Sequence, residues 1–133
     1  MANILLVDDS PSILHMLEQW LVAAGHRVTV QNSALHVGRL LRTTRLDLVI
    51  TDIYMPDVDG MQLLFLLRKD HPKLPCIAMS SAEGDFNLLG AAKQLGALAA
   101  LRKPFTEDVL LAAVAAVLAP KAGSTSVSTA PCM

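Results

Sequence analysis

Little in this chain is charged: Asp, Glu, Lys and Arg make up 17% of its 133 residues, against a usual fraction of about 25%. Eleven Lys and Arg meet twelve Asp and Glu, for a formal net charge of −1. Without a positive excess the chain lacks the electrostatic footprint of a nucleic-acid binder or a polybasic membrane binder, and no direct contact with either is expected. Cysteine is scarce as well. Cys76 sits in an apolar run and Cys132 near the end of the sequence, a pattern that builds no disulfide framework and fits a reducing, cytoplasmic compartment. The first residues do not read as a signal peptide. The longest uncharged apolar helical stretch, Val109 to Ala119, falls short of the ~20 residues that cross a bilayer. Several signatures are missing too. No glycine-rich turn follows the first apolar run, no Walker-type lysine loop is present, and no CxxC, HExxH or GxSxG occurs. The four histidines, His15, His26, His36 and His71, are scattered and read as surface or packing residues.

What is abundant is apolar surface. Hydrophobic residues make up 53% of the chain, which excludes disorder over most of its length and suits one domain with one core. Short apolar runs alternate with helical patterns. Asn3 to Val7 reads as a buried strand. Ser10 can cap a helix with Pro11 at its first position, and Gly25 ends it. Arg27 to Val30 alternates like an edge strand, and Asn32 or Ser33 can cap a second helix reaching about Thr43. Leu46 to Thr51, Cys76 to Met79 and Ala97 to Leu101 are further strands. Helices are expected over Met61 to Asp70, Asp85 to Leu95 and Thr106 to Ala119. Five β-then-α units imply a doubly wound parallel sheet with helices on both faces. The expected domain is 1–119. The segment 120–133, rich in Ser, Thr, Ala and Pro without periodicity, is expected to be a disordered tail or linker.

Ligands of such sheets sit beyond the carboxyl ends of the strands, where strand order reverses. Here those ends carry Asp8 and Asp9, Asp52, Ser80 and Lys103. Three converging carboxylates repel: at about 4 Å and an effective dielectric near ~20, each close pair costs roughly 4 kcal/mol. Lys103 supplies one positive charge and a divalent cation would supply more. Carboxylate oxygens in small number suit Mg²⁺, which keeps waters and bridges to phosphate. The pattern points to a carboxylate and metal cluster that holds a phosphoryl group.

At these positions the sequence resembles the receiver domains of bacterial two-component response regulators, over roughly Asn3 to Ala119. The resemblance rests on Ile4-Leu5-Leu6-Val7-Asp8-Asp9-Ser10, on Asp52-Ile53-Tyr54-Met55-Pro56-Asp57-Val58-Asp59-Gly60, on Ser80-Ser81-Ala82 and on Lys103-Pro104-Phe105. It implies a flavodoxin-like (βα)5 fold with strand order 2-1-3-4-5. It implies that a sensor histidine kinase or phosphotransfer protein phosphorylates Asp52, and that Asp8, Asp9, Asp52 and the backbone carbonyl of Tyr54 hold Mg²⁺. Ser80 and Lys103 would bind phosphate oxygens, and a cis bond is implied at Lys103–Pro104. A haloacid-dehalogenase-like phosphatase would need a second Asp where Tyr54 stands, so the chain is expected to be a signalling phosphoacceptor rather than an enzyme.

Two departures from the family stand out. Ala100 occupies a position commonly Tyr or Phe, so the usual aromatic switch is absent, and Ser81 adds a hydroxyl beside Ser80. The chain stops before any DNA-binding output domain, which fits a free-standing receiver or the receiver portion of a longer regulator. The last helix lacks a polar side from Val109 to Ala119. Leu110, Val114, Val117 and Leu118 are expected on the sheet, leaving Leu111, Ala112, Ala115 and Ala119 toward solvent. That outer face, with the preceding helix and the last strand, is the expected surface for dimerisation or target docking.

Overall fold

In the computed structural model, residues 2–33, 37–53, 60–80 and 96–118 are described. Five strands form one sheet: β1 (Asn3–Val7), β2 (Arg27–Gln31), β3 (Leu48–Asp52), β4 (Cys76–Ser80) and β5 (Ala99–Arg102). Four helices are present among the described residues: α1 (Pro11–Ala23), α2 (Val37–Thr43), α3 (Gly60–Asp70) and α4 (Glu107–Leu118). The strand order is β2-β1-β3-β4-β5, parallel throughout, as the resemblance implies. The expected Asp85–Leu95 helix and the 120–133 tail lie outside the described residues.

Strict alternation along the central strands explains the layering, because successive side chains leave a strand on opposite faces. Leu5, Val7, Val49, Cys76 and Ala78 join one core with Leu63, Leu64 and Leu67 of α3 and Val37 of α2. Ile4, Leu6, Leu48, Ile50, Ile77 and Met79 join the other with Leu14, Leu17 and Leu21 of α1 and Leu110 and Val114 of α4. Strands covered on both sides have no polar face, and β3 and β4 are buried throughout. β2, at the sheet edge, is partly exposed along its whole length, and its alternation is that of an edge strand: Val28 and Val30 pack against the core on the α1 side.

The helix ends follow from their sequence. The Ser10 hydroxyl accepts from the Ile13 amide at 3.4 Å, with Pro11 in the first turn. At the other end Gly25 takes φ +97°. The His26 amide then donates to Leu21 at 3.1 Å and the Gly25 amide to Val22 at 2.9 Å, which satisfies the last carbonyls of α1. Thr106 caps α4 by accepting from the Val109 amide at 3.3 Å.

Three expectations need correction. The third and fifth strands begin two residues later than their apolar runs, at Leu48 and Ala99. Leu46 and Ala97 contribute to the core from the preceding loops without pairing. Leu111 does not face solvent: it is half-buried against the α1/α4 core, and Val109 is the exposed large residue of that helix at 46%. Ala112 and Ala115 are exposed as expected, while Ala119 lies outside the described residues.

Candidate functional site

The topology brings four strand ends to one edge of the sheet. Asp8 follows β1 and donates its amide to Gln31 at 3.1 Å. Asp52 is the last residue of β3, and the following Ile53 amide donates to Met79 at 3.0 Å. Ser80 ends β4, and its carbonyl accepts from the Lys103 amide at 2.7 Å. These bonds carry the ladder past the strands, so the side chains after them are held by the sheet rather than by free loops. The Lys103–Pro104 peptide bond is cis.

Oxygens of Asp8, Asp9 and Asp52 lie within 4.8 Å of one another. Asp8 is fully buried, Asp52 is 4% exposed and Asp9 is open to solvent. The Lys103 ammonium lies 2.5 Å from Asp8 Oδ2 and 3.3 Å from Asp52 Oδ2. The other Asp8 oxygen accepts from the Ser10 amide at 3.0 Å. Both Asp8 oxygens are therefore engaged within the protein, whereas Asp9 projects outward beside them. A cavity of about 490 Å³ opens over the cluster. Its polar wall is Asp8, Asp9, Asp52 and Lys103, and its apolar wall includes Ile13, Met16 and Phe105.

Three carboxylates face one ammonium within this cluster, and two of the carboxylates are buried. Burying such a charge excess is costly unless cations compensate it. The donors are all oxygen, with no imidazole or thiolate among them. That set fits a hard divalent cation of the Mg²⁺ kind.

The structure brings together Asp8, Asp9, Asp52 and Lys103, and it puts Ser80, 1% exposed, at the end of the neighbouring strand. Tyr54 and Ser81 lie outside the described residues. Sequence reasoning missed three features. It did not foresee that the Lys103 ammonium sits closer to Asp8 than to Asp52. It did not foresee the Ser10 amide as the group that orients Asp8, because a backbone donor leaves no residue signature. Nor did it single out Met16, which packs on the core and also lines the cavity. Buried Thr51 donates its hydroxyl to the Asp52 carbonyl at 2.9 Å.

Known proteins resemble this chain in sequence and in fold. The sequence profile of the response regulator receiver domain matches residues 4–115. The transcriptional regulatory protein GlrR of Escherichia coli K12 is 36% identical over 124 residues, which is 93% of this chain and 28% of GlrR. The DNA-binding transcriptional regulator NtrC of Klebsiella pneumoniae is 39% identical over 109 residues, 82% of this chain and 23% of NtrC. The chain thus spans about a quarter of the length of these relatives. Among solved structures, a receiver domain protein from Clostridium thermocellum superposes with a TM-score of 0.82 at 31% identity, covering 89% of this chain and 94% of that one. The chemotaxis protein CheY4 of Vibrio cholerae gives a TM-score of 0.80 at 29% identity, covering 89% of this chain and 99% of its own.

Proposed function

The chain belongs to the response regulator receiver domain family, the phosphoacceptor modules of two-component systems, and from that premise we propose that Asp52 is its phosphoacceptor. The observation that carries this reading is the cluster of three carboxylates around the Lys103 ammonium at the sheet edge. The donor is a phosphohistidine on a sensor kinase or phosphotransfer protein. An Asp52 oxygen attacks phosphorus in line, the P–N bond breaks, and its electron pair returns to the donor imidazole. Such a transfer depends on positioning and charge neutralisation more than on covalent assistance. Lys103 turns from Asp8 toward the incoming phosphoryl oxygens, and the Ser80 hydroxyl donates to another. Asp8, Asp9, Asp52 and the Tyr54 carbonyl would hold Mg²⁺, which would neutralise phosphoryl charge there. Asp9, the solvent-facing acid, would contribute more to that binding than Asp8, whose oxygens are engaged by Lys103 and the Ser10 amide.

The receiver unit is 1–119, with 120–133 a linker or tail, and its setting is cytoplasmic. Among the described residues no helix is long and apolar enough to cross a membrane. Ala100, half-buried in β5 opposite Ala78, leaves the aromatic switch without its ring. The phosphorylation signal therefore passes through the loop after Ser80. The exposed residues Leu98, Val109, Ala112 and Ala115 form part of a dimerisation or docking face along β5 and α4.

Incubation with acetyl phosphate and Mg²⁺ tests the central assignment. The expected product is one acid-stable phosphate, labile to base and hydroxylamine, that EDTA prevents and Asp52→Asn abolishes with the fold intact. Full labelling of Asp52→Asn would overturn the assignment.

A further inference from the structure

At the opposite edge of the sheet, away from the carboxylate cluster, a groove of about 520 Å³ runs between the loop from α2 to β3 and the loop from α3 to β4. Half-buried Leu41, Leu46 and Leu74 give it an apolar floor, and exposed Arg45 and Lys73 stand on its rim beside His71. The walls are fixed by hydrogen bonds. The Asp47 amide donates to the Asn3 carbonyl at 2.7 Å, and the Asn3 amide donates back to Asp47 Oδ2 at 2.8 Å. The Leu74 amide donates to His71 at 3.0 Å, and the Val49 amide to Pro75 at 3.1 Å. The groove is preformed, and its acid, Asp47, already has a partner.

The surrounding charge is one-sided. Arg39, Arg42, Arg45, Arg68, Lys69 and Lys73 all come from α2, α3 and these two loops, against Asp47 and Asp70. Among the described residues, none of the six basic side chains makes an ion pair. In a chain of net charge −1 this separates a basic edge from the acidic, phosphoaccepting edge.

We infer that this groove docks an acidic protein segment whose apolar side chains enter between Leu41, Leu46 and Leu74 while its carboxylates meet Arg45 and Lys73. Charge complementarity selects the partner and an apolar floor anchors it. A nucleic acid fits less well, because no Phe, Tyr or Trp lines the groove to stack on a base. The chain's own residues 119–133 fit less well still, since they contain Lys121 and no acid. Because the groove and the carboxylate cluster lie at opposite ends of the strands, a segment bound here leaves the phosphoryl site open.

The test uses the full chain and a short fluorescein-labelled peptide of Glu and Leu at helical spacing, read by anisotropy. A matching Gln and Leu peptide and an oligothymidylate serve as comparisons. The acidic peptide binds most tightly, and the binding weakens by at least about tenfold between about 50 and about 300 mM salt. Arg45→Glu with Lys73→Glu weakens it by at least about tenfold, Arg45→Gln with Lys73→Gln by less, and both keep wild-type circular dichroism and labelling by acetyl phosphate. Amide shifts on titration fall within 41–47 and 71–75. Equal binding of the Gln peptide, tighter binding of the oligonucleotide, shifts centred on Asp8, Asp52 and Lys103, or head-to-tail self-association of the chain through this groove would each overturn the inference.

Discussion

Replacing Lys103 by methionine keeps the length of the side chain and removes the ammonium that touches Asp8 Oδ2 at 2.5 Å and Asp52 Oδ2 at 3.3 Å. The lysine side chain is 11% exposed and its partners 0% and 5%, so solvent screens these contacts little. Removing one member of a buried pair costs about 3–5 kcal/mol, and with some water at the lysine the lower end, about 3 kcal/mol, is expected. A domain of ordinary stability survives this loss. The same change has the opposite effect on cation affinity. In the wild type a divalent cation must share Asp8 and Asp52 with the ammonium and is repelled by it. In Lys103→Met both obstacles are gone, and Mg²⁺ binds about tenfold more tightly, or about 1.4 kcal/mol. Linkage then requires that the stability gap between variant and wild type narrow from about 3 to about 1.6 kcal/mol in saturating Mg²⁺. Urea unfolding with and without Mg²⁺ measures the gap, and calorimetric titration measures the affinity. A gap below about 1 kcal/mol without Mg²⁺, a gap that Mg²⁺ leaves unchanged, or weaker Mg²⁺ binding by the variant would refute the reasoning.

Other consequences can be checked more briefly. Burial, together with the positive amino terminus, lowers the pKa of His26, whose Nδ1 accepts from the Ala2 amide at 3.1 Å. Its contribution to stability is complete above the ordinary value of 6.5 and is lost as pH falls through the lower folded value. His26→Gln should flatten that part of the stability–pH curve, and an unchanged slope would argue against it. Burial pushes the Cys76 thiol up, away from its reactive thiolate form. In a Cys132→Ser background, a disulfide reagent at mildly alkaline pH should label Cys76 only as urea unfolds the chain. Fast native labelling would contradict its placement. Leu110, 0% exposed, should cost about 2–5 kcal/mol when cut to Ala, whereas Ala115→Glu on the exposed side of α4 should stay within about 0.5 kcal/mol by thermal unfolding.

Much of this architecture is legible in the sequence because local and global signals agree. The run Ile4 to Val7 is apolar at every position, so it declares a strand buried on both sides, and Ser10-Pro11 and Gly25 mark the ends of α1. The errors arise where burial and pairing part company. Leu46 and Ala97 are apolar because they fill core space from loops, and hydrophobicity alone does not separate that from strand pairing. Leu111 was misplaced for a related reason. On a helix with no polar side, the pattern carries no phase, and only packing against α1 and the sheet decides which residues turn inward. At the site, residue types and strand ends identify the cluster. The division of Lys103 between Asp8 and Asp52 depends on sub-ångström placement across four strands, which no spacing encodes.

The strict alternation of the central strands sets a reading frame for this protein in space as well as in the gene. Along β1 the odd positions Leu5 and Val7 belong to one core, and the even positions Ile4 and Leu6 to the other. Conservative exchanges at any of these positions keep each side chain in its own compartment. Deleting a single residue from β1 is a different kind of lesion. Every residue before the deletion crosses to the wrong side of the sheet, or every residue after it shifts by one place and draws Asp8 off the edge it shares with Asp52 and Lys103. The loops around residues 44–47 and 71–75 stand outside this alternation: a deletion there would distort the groove they line, but it would not carry a side chain from one core to the other, whereas the edge that holds Asp8, Asp52 and Lys103 tolerates change only one side chain at a time.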